Sequence, residues 1–212
     1  MDKQAVKETV QLSVIEHLAR QGEYYVPVTV SARHAHLSAE DVETLFGRGH
    51  KLTAMRALSQ PGQFACEEQV TLVGPKRQIE RVRVLGPPRS KTQVEISVTD
   101  CYTLGIEPVI RMSGNLEGSA GAKLVGPVGE VALPSGIIVA ARHLHANPEQ
   151  AAWFGIKDGD IISVKAEGVR ETTFANIAVR INENYDLELH LDVDEANAAG
   201  LKSGDLFKLV KE

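Results

Sequence analysis

The sequence predicts a mainly β fold with two tandem, pseudo-duplicated β-barrel domains capped by short α-helices, and one further helix at the N-terminus. Two observations predict this class. An Arg-His-x-His motif follows an alternating apolar run twice, at residues 33–36 and 142–145. Two similar strand-to-turn units, at residues 70–75 and 123–127, lie among short apolar runs that glycine and proline separate at intervals typical of a barrel.

The chain of 212 residues is long enough for two domains of about 100 residues each. We expect an N-terminal amphipathic helix at 1–22, a first barrel at 23–135 and a second barrel at 136–212. For the first strand, near 24–32, packing with the second barrel is an open alternative.

The N-terminal segment carries apolar residues at helical spacing, namely Val6, Val10, Val14 and Leu18, with Ile15 beside them. This stripe predicts a helix of modest amphipathicity, which ends near Gly22. A helix of this kind either docks on its own barrel or presents its apolar side to another protein.

Composition argues against several classes of function. The net charge is −5 and the pI is near 5.8, with no long basic run, so a nucleic-acid-binding surface is not expected. No apolar run approaches the roughly 20 residues that span a bilayer, and the start lacks a signal-peptide pattern, so we expect an intracellular protein without a membrane partner. Cys66 and Cys101 lack CxxC spacing, which argues against a disulfide framework or a thiolate zinc site.

Each Arg-His-x-His motif is predicted to end a strand. Because side chains alternate along a strand, His34 and His36 should project to the same side as the preceding valines, and His143 and His145 to the same side as Ile137 and Val139. A helix start follows each motif, with an N-cap at Ser38 or at Asn147, the latter followed by proline. Four imidazoles are therefore expected at two strand-to-helix corners.

A second internal similarity extends the repeat. Residues 95–106 can be laid on residues 190–201, with strand, helix cap, one-turn helix and glycine in step. Glu95 and His190 then occupy equivalent positions on equivalent strands. Each half of the chain offers two histidines and one further residue able to bind a metal.

Two histidines at i and i+2 on a strand bring their nitrogens within reach of one ion, and zinc accepts histidine nitrogen and glutamate oxygen. We therefore predict two metal sites, one on His34, His36 and Glu95 and the other on His143, His145 and His190. The alternative is that these histidines only satisfy backbone carbonyls in a barrel core. That alternative gives no reason for an arginine to recur before both pairs.

Three arginines are candidates for binding an anionic substrate. Arg33 and Arg142 precede the two histidine pairs, and a cation beside a metal suits an anion. Arg89 follows Pro87 and Pro88, six residues ahead of Glu95, where a guanidinium could bind phosphate with two hydrogen bonds. As an isolated sequence feature, Arg89 is better interpreted as a solvated loop arginine.

Six dispersed stretches, in the same order, closely resemble the phosphate propanoyltransferases, the PduL-type phosphotransacylases. They are residues 31–38 (SARHAHLS), 59–65, 70–76, 93–97, 113–118 and 194–200. The resemblance extends from about residue 26 to the end of the chain. It implies transfer of an acyl group between coenzyme A and phosphate, with two zinc ions held between two β-barrels.

The resemblance also implies roles for individual residues. One zinc ion would lie on His34, His36 and Glu95, near the coenzyme A sulfur, and the other on His143, His145 and His190. Arg89 matches the family's phosphate-contacting arginine and becomes a catalytic candidate. Some members carry an N-terminal amphipathic peptide that directs them into bacterial microcompartments, which implies the same for residues 1–22.

We therefore expect reversible transfer of a short acyl group, propanoyl or acetyl, at a dinuclear zinc site by direct attack of phosphate on the thioester. The alternatives are a dinuclear zinc hydrolase that acts on a thioester, and a zinc-stabilised, non-catalytic barrel module. Expected partners are acyl-CoA or coenzyme A, phosphate, a further copy of the chain in a dimer or higher homo-oligomer, and microcompartment core or shell proteins. The expected location is the lumen of a bacterial microcompartment, with the cytoplasm as the alternative.

Overall fold

The computed structural model describes residues 3–211, which form five helices and fourteen strands. The helices are α1 (Lys3–Arg20), α2 (Ala39–Phe46), α3 (Val98–Leu104), α4 (Pro148–Phe154) and α5 (Val193–Ala199). The strands are β1 (Tyr25–Ser31), β2 (His34–Ser38), β3 (Ala54–Ala57), β4 (Phe64–Val73), β5 (Gln78–Arg89), β6 (Gln93–Glu95), β7 (Ile110–Arg111), β8 (Ala120–Val125), β9 (Glu130–Ala140), β10 (His143–Ala146), β11 (Ile161–Ala166), β12 (Thr172–Ile181), β13 (Glu188–Asp192) and β14 (Leu206–Val210). The predicted fold class, mainly β with two closed six-stranded barrels and short helices, is confirmed.

The chain divides into two compact units. One unit, here the central barrel, is Ala32–Ala141, and the other, here the terminal barrel, combines the residues up to 31 with those from 142 on. The predicted boundary near residue 135 therefore differs from the observed one. It falls inside β9, which pairs along its length with β6, β7 and β8 of the central barrel.

In the terminal barrel six strands close in the order β1-β13-β10-β12-β11-β14. β1 pairs with β13 and β14, the arrangement that the sequence left open. Its core contains Val26, Phe154 and Phe207, and the helix α1 packs on it through the buried Ile15. The apolar stripe of α1 points elsewhere, because Val6, Val10 and Val14 are exposed by 43%, 57% and 48%.

In the central barrel the strands β4, β5, β2, β6, β9 and β8 pair in a closed ring. Alternating apolar residues such as Val82, Val84 and Val94 fill its interior, and α2 and α3 pack against it with Leu45 and Leu104 fully buried. Each barrel therefore has its own hydrophobic core. Within the described part of the chain, no helix combines the length and the hydropathy that crossing a membrane would require.

One prediction about the strands is wrong. Each histidine pair was expected to continue the apolar strand before it, but β1 ends at Ser31 and β9 at Ala140, before the strands that carry the histidines begin. The chain leaves one barrel and enters the other at these two breaks. The valines of β1 therefore pack in the terminal barrel, whereas His34 and His36 belong to the central barrel.

Candidate metal centres

The central cluster is built by two short antiparallel strands. β2 and β6 pair with His34 opposite Glu95 and His36 opposite Gln93, so the three predicted ligands face one another across the ladder. One ligand atom from each of His34, His36 and Glu95 lies within 4.8 Å of the other two. All three residues are buried, with relative exposures of 8%, 3% and 8%.

The terminal cluster repeats this frame. β10 and β13 pair with His143 opposite His190, so His190 takes the place that Glu95 holds in the other barrel, as the sequence repeat predicted. Ligand atoms of His143, His145 and His190 again lie within 4.8 Å of one another. The ring of His143 stacks on that of His190 at a centroid distance of 4.7 Å and an interplanar angle of 10°.

Short helices complete both frames. α3 follows the third ligand of the central cluster and α5 follows that of the terminal cluster, each with a capping box, at Ser97 and Asp100 and at Asp192 and Glu195. Both helices stop after seven residues, at Gly105 and Gly200 in the left-handed region. The predicted N-caps at Ser38 and Asn147, after the histidine pairs, are also confirmed.

The protonation states suit metal binding. Nδ1 of His34 lies 2.8 Å from the carbonyl oxygen of Ala32, which can only accept, so Nδ1 donates and the lone pair of Nε2 is available to an ion. Burial, the neighbouring His34 and the Arg89 cation lower the pKa of His36 to about 3. Burial and the neighbouring His190 and His143 lower the pKa of His145 to about 2. Both rings are therefore neutral at ordinary pH, the state in which imidazole binds metal.

Unpartnered nitrogen atoms test whether the residues fit a metal. Both ring nitrogens of His145, and Nε2 of His190, are buried without a hydrogen-bond partner. Nε2 of His190 lies 3.2 Å from Oε2 of Glu188 but does not make a hydrogen bond with it. Buried polar atoms are normally satisfied, so this cluster is short of partners, and a cation bound by one nitrogen of each ring would satisfy one atom of His145 and Nε2 of His190. The residues fit a zinc-class ion.

Arg89 ends β5 in the central barrel and belongs to a short hydrogen-bonded chain. Its Nη1 donates to Oγ of Ser113 at 3.1 Å, and Nε2 of Gln93 donates to the same oxygen at 2.8 Å. The amide of Gln93 also donates to Oε1 of the ligand Glu95 at 2.6 Å. The guanidinium is thus linked through two side chains to the central cluster, and its charge acts on His36.

The other two candidate arginines form ion pairs within their own barrels. Nη2 of Arg33 lies 3.0 Å from Oδ1 of Asp100, and Nε of Arg142 lies 2.5 Å from Oε1 of Glu195. Arg142 also donates to the carbonyl oxygen of Ala175 at 2.9 Å. The expectation that these arginines bind substrate stays a prediction.

Comparison with known proteins identifies the family. The model of the phosphate propanoyltransferase family matches residues 27–202, a span that contains both clusters and Arg89. The chain belongs to this family. A phosphate propanoyltransferase of Thermotoga maritima is 52% identical over 87% of this chain and 88% of its own length, and one of Rhodobacter capsulatus is 52% identical over 88% and 86%.

A phosphate propanoyltransferase of Salmonella typhimurium is 49% identical over 98% of this chain and 97% of its own length, so that match takes in most of α1. Membership of the phosphate propanoyltransferase family makes this protein an enzyme of the acyltransferase class. The prediction of the family and of an enzyme is confirmed, and the non-catalytic module is not supported.

Sequence reasoning missed three residues beside the terminal cluster. Glu188 lies two residues before His190 on β13, and Arg180 is the partner of His145 on the parallel strand β12. Tyr185 stacks on His145 at 4.1 Å and lies beneath the Arg180 guanidinium, which is 5.8 Å from its ring centroid. Strand alternation could have revealed Glu188, whereas the positions of Arg180 and Tyr185 depend on non-local strand pairing.

Proposed function

We propose that this enzyme reversibly transfers a short acyl group, propanoyl or acetyl, between coenzyme A and inorganic phosphate, and that it binds two zinc ions, one in each cluster. The observation that carries the proposal is the pair of clusters, buried except for the partly exposed His190, each of which brings three nitrogen or oxygen ligands within 4.8 Å of one another. Structural zinc sites usually have four protein ligands, whereas catalytic sites usually have three and keep a position for substrate. Three ligands in each cluster favour chemistry.

When bound, the zinc ions would supply Lewis-acid stabilisation for the acyl carbonyl, the phosphate and the departing sulfur. In the step itself a phosphate oxygen forms a bond to the acyl carbon while the carbon–sulfur bond breaks. Sulfur leaves with the electron pair as the coenzyme A thiolate, and the proton that hydrogen phosphate gives up passes through solvent to that thiolate. The products are acyl phosphate and coenzyme A, and the reverse step uses the same bonds.

Direct attack is favoured because the cysteines are poorly suited to act as nucleophiles. Cys66 and Cys101 are buried, with relative exposures of 0% and 2%. Burial, and the neighbouring Glu68 carboxylate, raise the pKa of the Cys66 thiol to about 11, so it stays protonated at neutral pH. We infer that phosphate itself, held by the protein, is the nucleophile.

Arg89 is the residue that we propose holds this phosphate. Replacing it by alanine removes a charged, forked donor, which typically costs about 1.5–3 kcal/mol or a factor on the order of 10 to 100 in rate. Replacing it by lysine keeps the charge but loses the planar fork, so the loss should be smaller but measurable. The test measures acyl phosphate formed from propanoyl-CoA and acetyl-CoA while phosphate is the varied substrate. Arg77→Ala, which removes an exposed arginine just before the same strand, is the matched control.

The zinc content of Arg89→Ala should equal that of the wild type, because arginine is not a metal ligand. Wild-type phosphate kinetics in the folded, zinc-loaded variant would remove Arg89 from the site. Release of free acid at a rate that does not depend on phosphate would favour the thioester hydrolase over the transferase. A preparation without two zinc-class ions per chain would contradict the metal part of the proposal.

The exposed stripe on α1 supports a proposal about location. Ile15 anchors the helix to the terminal barrel, while Val6, Val10 and Val14 face solvent at consecutive helical turns. Because the anchoring residue and the stripe are different, the helix can dock on its barrel and still bind another protein. We propose that the stripe directs the enzyme to the lumen of a bacterial microcompartment by binding its core or shell proteins, and that the enzyme forms a homo-oligomer.

A reporter fused to residues 1–22 tests the location in a host that makes microcompartments. The reporter should enter them, and the variant Val10→Glu with Val14→Glu should stay diffuse. Diffuse distribution of both reporters would leave α1 as a helix of the barrel alone. The enzyme that lacks residues 1–20 should keep its turnover, because every proposed ligand lies after them, and light scattering of the full chain would test the oligomer.

A further inference from the structure

An arginine stands directly before each His-x-His pair, and it forms an ion pair at the same relative position in both barrels. Arg33 pairs with Asp100 and Arg142 with Glu195. In each case the acid stands five residues after the third ligand, Glu95 or His190. We call these pairs the central clasp (Arg33–Asp100) and the terminal clasp (Arg142–Glu195).

Each clasp lies at the end of the ladder that carries the ligands. The β2–β6 ladder ends with His34 opposite Glu95, and the β10–β13 ladder ends with His143 opposite His190. The first and third ligands of each cluster therefore occupy an end pair, where strands separate most easily. The clasp joins the same two chain segments just beyond that pair.

Helix capping does not by itself require these acids. Asp100 and Glu195 are the third helical residues of α3 and α5, where their side chains complete capping boxes. The box of α4 is completed by the neutral Gln150 instead. Among the described residues, α3 and α5 are the only helices that combine a capping box with an acid that an arginine contacts. Both of these helices follow a third ligand.

We propose that the clasps are positioning devices that hold the first and third ligands of each cluster at the separation a metal ion needs. This explains why arginine recurs before both histidine pairs without assigning Arg33 or Arg142 to substrate. The inference rests on the proposed function, because it takes both clusters to bind metal. Groups that orient metal ligands typically change metal affinity by about 10- to 100-fold when they are removed.

The test measures zinc affinity by competition with a chromogenic chelator, one cluster at a time. His34→Ala leaves the terminal cluster to be measured, and His143→Ala leaves the central one. In these backgrounds, Glu195→Gln and Asp100→Asn should each weaken zinc binding about 10-fold in their own barrel. The variant Glu195→Gln is the sharper of the two, because glutamine already completes the capping box of α4 and Arg142 keeps its other contacts.

Surface ion pairs provide matched controls. Lys208→Met removes the pair with Glu23 in the terminal barrel, and Lys123→Met removes the pair with Glu130 in the central barrel. Neither pair joins ligand-bearing strands, so zinc affinity should not change. Arg33→Met should weaken the central cluster more than Asp100→Asn does, because it leaves Asp100, whose side chain is 5% exposed, without its cation. The double variant Arg33→Met with Asp100→Asn should recover part of that loss.

The outcomes separate the clasps from the metal hypothesis. If the wild-type enzyme does not bind two ions, the proposed function fails, whatever the clasp variants do. In a second outcome, the wild type binds two ions, but adding Glu195→Gln to His34→Ala, or Asp100→Asn to His143→Ala, leaves zinc affinity unchanged. The clasps then do not position ligands. A lower melting temperature of the metal-free variants with unchanged zinc affinity would also overturn the inference, because it would show a role in stability alone.

Discussion

The two ligand clusters share one strand frame but place their carboxylate at different positions. In the central cluster the third ligand is Glu95, and the residue two positions before it is the neutral Gln93. In the terminal cluster the third ligand is His190, and Glu188 stands two positions before it. Each cluster thus has one carboxylate on the strand that carries its third ligand, β6 or β13. The carboxylate is the proposed ligand itself in the central cluster and stands two positions before the proposed ligand in the terminal cluster.

This exchange should give the two metal ions different properties. A divalent ion on two imidazoles and a carboxylate keeps a single positive charge, whereas an ion on three imidazoles keeps both. The terminal cluster should therefore hold the stronger electrophile. Its surroundings differ too, since Arg180 and Tyr185 flank His145, while Arg89, Ser113 and Gln93 form the hydrogen-bonded chain of the central cluster.

Removing a ligand from each cluster in turn is the strongest test of this comparison. His143→Ala and His34→Ala should each lose one of two ions and reduce turnover by roughly 1,000-fold, since Lewis-acid stabilisation is worth several kcal/mol. Metal analysis and turnover of the same preparation check both numbers. Full metal occupancy in His143→Ala would remove that residue from the site. Chelation should likewise abolish turnover but leave the barrels largely folded, because each has its own apolar core.

The variant Glu188→Gln tests whether the Glu188 carboxylate contributes to zinc binding by the terminal cluster. The change keeps the side-chain shape but removes the charge 3.2 Å from Nε2 of His190. Zinc affinity of the terminal cluster, measured with His34→Ala in the background, should fall about 10- to 100-fold. The control is Glu183→Gln, which neutralises an exposed glutamate just before the same strand. If Glu188→Gln and Glu183→Gln bind zinc equally tightly, the Glu188 carboxylate does not contribute to the terminal site. The two clusters would then differ in charge as well as in the position of the carboxylate.

Much of both clusters could be predicted from local patterns. Strand alternation and short helices depend on only a few neighbouring residues. The repeat therefore identified Glu95 and His190 as equivalent, and the strand register confirms this equivalence. The structure also brings all six predicted ligands together in two groups of three. That these groups bind zinc stays a prediction.

The features that sequence reasoning missed depend on distant strands. The end of β9, before the second histidine pair, was assigned to the wrong barrel, and the barrel of β1 was left open. Both depend on pairing partners far along the chain, such as β13 for β1 and β6 for β9. Arg180 reaches His145 only through the parallel pairing of β10 with β12. The arginines of the two clasps were taken as candidates for binding substrate, because sequence spacing does not show which charges meet.

The aromatic stack beside the terminal cluster gives the smallest expected effect. Tyr185 lies against His145 at 4.1 Å with an interplanar angle of 24°. Such a contact is worth about 0.5–1.5 kcal/mol, so Tyr185→Leu should weaken zinc binding by the terminal cluster roughly 2- to 10-fold, whereas Tyr185→Phe keeps the ring and should change it little. Tyr25→Leu is the control, because Lys208 lies over the Tyr25 ring at 5.8 Å, the distance that separates Arg180 from Tyr185. A zinc affinity equal to the wild type in Tyr185→Leu would mean that His145 is oriented without the aromatic stack, and Tyr185 would then no longer count among the differences between the two clusters.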